Sequence, residues 1–99
     1  MVQAIVLYGR PDDVTAFDKY YVETHLPIAG KIPSVRNATW GRLATLDGAP
    51  PPHYLSAILE FESIEELKAA FASPEGQAAL GDTVNFATGG VCLVIQQDG

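Results

Sequence analysis

The chain has 99 residues, 47% of them hydrophobic and 18% charged, with a formal net charge of −6. That length bounds it to one domain over residues 1–99 with a modest core, and an acidic chain with six Lys and Arg argues against nucleic acid or anionic membranes as partners. A single cysteine, Cys92, excludes an intrachain disulfide and fits a reducing, cytoplasmic location.

Met1 to Tyr8 is apolar but short. It has neither a basic stretch nor a small-residue cleavage site, so a signal peptide is not expected, and nothing approaches the length of a transmembrane helix. Val2 to Tyr8 is predicted as a strand, branched and apolar, bounded by Gly9-Arg10-Pro11. Asp12 is expected to cap the first helix, with Asp13 suiting its positive end. Along that helix Val14, Phe17, Tyr21 and Thr24 share one face, while Asp18, Lys19 and Glu23 stay wet. Pro27 lacks an N–H and disfavours helix at Leu26, which predicts a break near His25. The segment from Pro27 to Pro33 then reads as a turn or a short helical piece.

Val35 to Thr45 is predicted as the second strand, with Ala38, Trp40 and Arg42 on one side and Asn37, Thr39 and Leu43 on the other. Gly41 marks a bulge or a close backbone approach. Leu46 to Pro52 is a loop, since consecutive prolines cannot sit in a sheet interior. His53 to Phe61 is the third strand, with Leu55, Ala57, Leu59 and Phe61 facing away from Tyr54, Ser56, Ile58 and Glu60. Ser63 and Glu66 form a capping box ahead of a helix whose apolar stripe is Ile64, Leu67 and Phe71. Ser73-Pro74-Glu75 starts a further short helix, ended by Gly81. Asp82 to Gly90 is a loop, and Val91 to Gln96 is the last strand. In that apolar strand Cys92 reads as a small buried hydrophobe.

The order βαββαβ implies an α+β, ferredoxin-like layout: a four-stranded antiparallel sheet with two helices on one face. Val91 to Ile95 is apolar on both faces, as are Ala4 to Leu7. Two helices cover one side of a sheet, so the other side calls for a second copy packed sheet against sheet, a homodimer.

Phe17-x-x-Tyr20-Tyr21-x-x-x-His25-x-Pro27 resembles the first-helix signature of the EthD family, named for ether degradation. Ala72-Ser73-Pro74-Glu75-Gly76-Gln77-Ala78 followed by Asn85-Phe86 is similar to that family's second-helix and loop pattern. The resemblance spans essentially the whole chain and implies a dimeric α+β barrel. Its namesake accompanies a cytochrome P450 system. Other members of the wider group are a lactone isomerase and polyketide-tailoring enzymes that work without metal or organic cofactor, and more distant barrels bind haem.

His25 carries the family motif and is the candidate catalytic residue; the alternative is a structural histidine on the helix carbonyls. Of the side chains present, histidine has the ordinary pKa nearest neutrality, which suits proton transfer. Tyr20 and Tyr21 point about 100° apart on a helix, so one packs in the core while the other lines a cavity. Tyr8, Trp40 and Phe86 complete the aromatic candidates for binding a small apolar ligand. Arg42 shares a strand face with Trp40; it either holds a carboxylate or enolate or makes an intersubunit ion pair. Asp12-Asp13 and Glu65-Glu66 read as cap and surface charges. No metal-ligand spacing, phosphate loop or nucleophile elbow is present, so no metal or cofactor is expected. Three readings follow: a cofactor-free enzyme acting on a small apolar carbonyl or lactone, a non-catalytic binding or accessory protein serving an oxygenase, and a haem-binding barrel.

Overall fold

Val2, Ala4, Val6 and Tyr8 are buried while Gln3, Ile5 and Leu7 between them are half-buried, so the first strand turns one face to a core. The computed structural model describes residues 1–98. Four strands, β1 (Val2–Tyr8), β2 (Asn37–Arg42), β3 (Leu55–Phe61) and β4 (Val91–Gln97), form one antiparallel sheet in the order β2-β3-β1-β4. The helices are α1 (Val14–Tyr20), α2 (Leu26–Ala29), α3 (Ile64–Ala72) and α4 (Pro74–Asp82). This is the expected ferredoxin-like arrangement. No described helix is long and apolar enough to cross a membrane.

The register sets the two faces. Val6 lies between Ala57 and Leu93, and Ala57 opposes Trp40, so these four project to the helix side. There they meet Phe17, Tyr21, Leu67, Ala70 and Ala79 in the core. On the opposite face Ile58, Ile5 and Val94 form a row across three strands. Ile58 and Val94 are exposed, as is Cys92 opposite Leu7, because no element among the described residues covers that side. Cys92 is therefore a surface thiol of the single chain, contrary to its reading as a buried hydrophobe.

Several boundaries differ from the sequence expectation. Asp13, rather than Asp12, caps α1, accepting the Ala16 N–H at 3.0 Å; Asp12 instead gives its backbone N–H to Thr88 Oγ1. The helix does not break near His25. A π-helical turn, Tyr21–His25, joins α1 to α2 and carries the chain past Pro27. The second strand is shorter than Val35 to Thr45, and Gly41 sits in regular pairing with Ser56, with open space where its side chain would be. Gly81 does not end α4, which runs through Asp82 into a 3₁₀ turn at Thr83–Asn85.

Ser73 is the pivot between α3 and α4. Its hydroxyl accepts the Gly76 N–H at 3.1 Å and donates to the Ala70 carbonyl, so one side chain satisfies an end of each helix. Gly76 is buried in the first turn of α4, where a Cβ would run into the backbone of Ala70 and Phe71. This accounts physically for a glycine within the Ala72–Ala78 motif. Gly76→Ala is expected to push the helices apart and destabilise the fold by about 1–3 kcal/mol, as overpacking does. Urea unfolding should show a lower midpoint at unchanged slope; an unchanged midpoint would mean the helices separate freely.

Candidate functional site

The residues that meet beneath the first helix come from three elements. Phe17, Tyr21 and His25 follow one another at steps of four and stack, with ring centroids 5.8 Å and 5.5 Å apart. The π turn is closed by the Leu26 N–H on the Tyr21 carbonyl. Pro27 has no N–H to give, and the wider turn relieves the collision its ring would make with a tight α turn. Each residue of this wide turn rotates by less than an α-helical step. His25 therefore occupies the buried face, while Thr24, expected there, is exposed.

His25 is 5% exposed and both ring nitrogens have partners. Nδ1 lies 2.9 Å from Asp82 Oδ2 and Nε2 lies 3.4 Å from the Tyr8 hydroxyl. The Asp82 carboxylate also accepts the Tyr20 O–H at 2.7 Å and an Asn85 Nδ2–H at 3.0 Å, both on Oδ1. Burial alone would raise the Asp82 pKa, but the hydrogen bonds from Asn85, Tyr20 and His25 together outweigh it and hold the carboxyl below its ordinary value. An ionised carboxylate only accepts, so Nδ1 carries the proton in the neutral ring. Nε2 is then an acceptor, and the Tyr8 O–H donates to it. Burial, with Tyr21 and Asp82 nearby, raises the Tyr8 pKa, and burial pushes Tyr21 up to about 12. Both phenols are thus hydrogen-bond donors at neutral pH. The hydrogen bond to Asp82, followed by burial, raises Tyr20.

This row borders a cavity of about 580 Å³ between the sheet and the helices. Tyr8, Tyr21 and His25 line it on one side, and Trp40, Leu59 and Phe71 are among the apolar residues around the rest. Trp40 is 41% exposed and packs edge-on against Tyr21, with centroids 5.2 Å apart. Phe86 is buried behind the row, 4.7 Å from the His25 ring and 5.3 Å from that of Tyr20, and does not line the cavity. Tyr20 binds Asp82 from its far side. Arg42 also lies outside the lining: it pairs with Asp18 at 3.0 Å and donates to the Tyr54 hydroxyl at 3.2 Å, tying β2 to α1 within the chain. Among the described residues, no three His, Cys, Asp or Glu side chains cluster as metal ligands do.

Asp82 is the residue that sequence reasoning missed, having been assigned to a loop. An acid in the last turn of a helix works against the macrodipole, a tension that becomes visible only because α4 runs past Gly81 to Asp82.

A family model for the EthD domain matches residues 11–90. The chain belongs to the EthD family. Both motifs fall inside that match, the first supplying Tyr20, Tyr21 and His25 and the second supplying Gly76. An uncharacterized 11.0 kDa protein in the thcB-thcC intergenic region of Rhodococcus erythropolis is 44% identical over 98 residues, which is 99% of this chain and 95% of that protein. The crystal structure of an EthD family protein from Bacillus halodurans superposes with a TM-score of 0.92 at 32% identity, covering 100% of this chain and 99% of the other. A dimeric ferredoxin-like protein of unknown function from Thermobifida fusca shares the fold at a TM-score of 0.69 and 20% identity, covering 96% of this chain and 88% of that one.

In this EthD-family chain the Asp82 carboxylate links stability to pH. Its folded pKa lies below the ordinary 3.8, so its contribution is fully present above that value and is lost as pH falls through the lower folded one. The stability advantage of the parent over Asp82→Asn is expected to be largest near neutrality and to shrink below about pH 4. Urea titrations of both proteins across that range check it; a constant difference would detach Asp82 from the acid transition.

Proposed function

We propose that this EthD-family protein is a cofactor-free enzyme that moves a proton on a small apolar carbonyl compound or lactone, with His25 as the catalytic base. The observation that carries this reading is the buried Asp82–His25–Tyr8 row bordering an apolar cavity. At 3.4 Å the Tyr8 hydroxyl holds His25 Nε2 loosely, near the limit of a hydrogen bond. A carbonyl oxygen entering the cavity can take the Tyr8 O–H in its place. Nε2 is then free to accept a proton from the carbon next to that carbonyl. The electron pair of the broken C–H bond moves onto the oxygen, where the Tyr8 donor, and Tyr21 beside it, stabilise the enolate. Asp82 stabilises the imidazolium formed in the same step. Where the substrate carries a C=C next to that carbon, the electron pair is shared along a dienolate, and return of the proton to its far carbon shifts the double bond and completes an isomerisation.

The test does not depend on the identity of the natural substrate. Small ketones and lactones are incubated with the protein in D₂O, and exchange of the protons next to the carbonyl is followed by NMR. Exchange is expected, and His25→Ala should lower its rate by about 10²–10⁴-fold while circular dichroism stays unchanged. Binding without His25-dependent exchange would replace the enzyme reading with that of a binding or accessory protein.

The same reading includes a homodimer and a cytoplasmic location. The single cysteine supports the latter. The row Ile58–Ile5–Val94, exposed at Ile58 and Val94 and half-buried at Ile5, supports the former, since a second copy would bury it, with a total area of about 1,600 Å² in a standard interface. Light scattering is expected to give twice the chain mass. Ile58→Lys, which would bury an unpaired charge, should split the dimer or unfold it. A monomer at micromolar concentration for the parent would overturn this part.

A further inference from the structure

The charge of the cavity restricts its ligand more sharply than its shape does. Among the described residues no Lys, Arg, Asp or Glu lines it. The Tyr8 and Tyr21 hydroxyls and His25 Nε2 sit together, Trp40 brings its indole from β2 against Tyr21, and Thr39, paired with Ile58, belongs to the opposite sheet face. Thr83, on the same side, already gives its hydroxyl proton to the Leu80 carbonyl at 2.7 Å. The remaining walls are hydrocarbon and aromatic ring, from Ile32, Leu59, Phe71 and Leu93 among others.

An anion in this space meets no fixed cation. The one lining group able to become positive is His25, and its Nδ1 already faces the Asp82 carboxylate at 2.9 Å, so the pair carries no net positive charge even when the ring is protonated. The carboxylate stands directly behind the imidazole and repels a second negative charge, and the chain's net charge of −6 adds to that field. The same field draws a cation, but Asp82 itself does not line the cavity and its oxygens accept from His25, Tyr20 and Asn85, so no carboxylate oxygen reaches a cation there to replace its water. Removing either kind of charge from water without a partner is unfavourable.

We infer that the ligand of this cavity is an uncharged molecule carrying one carbonyl or hydroxyl oxygen at one end of a hydrocarbon body, and that the site rejects the matching carboxylate and ammonium. This rests on the proposed binding role of the cavity and narrows its substrate class.

The test uses three probes of equal chain length: octan-2-one, octanoate and octylammonium. Trp40 is the one tryptophan of the chain and lines the cavity, so its fluorescence reports occupancy, with calorimetry as the second measurement. The ketone is expected to bind at least about tenfold more tightly than either charged probe at neutral pH, since 1.4 kcal/mol of unfavourable charge burial already gives that factor. Ala38 lines the cavity and is itself exposed, so Ala38→Lys sets an ammonium at the rim without filling the core. That variant should bind octanoate at least as well as the ketone. Octanoate or octylammonium matching the ketone on the parent would overturn the charge selection while leaving an apolar binding cavity in place. Octanoate affinity unmoved by Ala38→Lys would overturn its electrostatic origin. Binding of none of the three would overturn both the selection and the binding role beneath it.

Discussion

A single buried carboxylate holds the two halves of this molecule in register. Asp82 stands at the end of α4 and receives Tyr20 and His25 from the first helical segment and Asn85 from the turn that follows it. The separation in sequence is 57 residues for His25 and 62 for Tyr20, so the contact closes the chain across both crossovers of the sheet. A carboxylate at a helix C-terminus is opposed by the helix dipole, and a buried one loses its hydration. Three donors on two oxygens compensate for both. The same donors orient the imidazole, so what secures the fold at this point also fixes which nitrogen faces Tyr8 and the cavity.

The first helix is built to deliver that imidazole. Without the π turn, Pro27 would end the helix and leave His25 at a frayed terminus open to water. With it, the segment continues to Ala29, and Leu26 and Ala29 go on to line the cavity. The aromatic stack from Phe17 through Tyr21 to His25 removes the remaining freedom of the ring, and Phe86 closes its back. A side chain held on every side loses little entropy when a ligand arrives, which is the condition for a positioned acid–base group.

The order of elements, the helix-facing positions of β1 and β3, and Ser63 as the N-cap of α3 were legible because each rests on local periodicity or on a short capping pattern. Tyr8, Tyr21, His25 and Trp40 could be named because aromatic and imidazole groups are conspicuous in a small chain. Asp82 could not, since its role depends on a contact between helices far apart in sequence. Arg42 was ambiguous for the same reason: a strand face was readable, but Asp18 as its partner was not. Cys92 and Ile58 share a different difficulty. Alternation assigns them to a face, yet whether that face is buried depends on what covers it, and no element among the described residues does.

That uncovered face bears on the site itself. A chain of 99 residues has little interior to spare, and here about 580 Å³ of it is left open beneath the helices. Packing given up around a cavity must be recovered elsewhere if the walls are to stay rigid. The helix side recovers part of it through the aromatic cluster around Tyr8. The other side of β1 and β3 still exposes Ile58 and half-exposes Ile5 and Leu7, directly behind the strand residues that floor the cavity. In the proposed dimer a second sheet would press on this surface. The same two strands would then carry the interface on one face and the site on the other, and each would stiffen the other through the backbone they share.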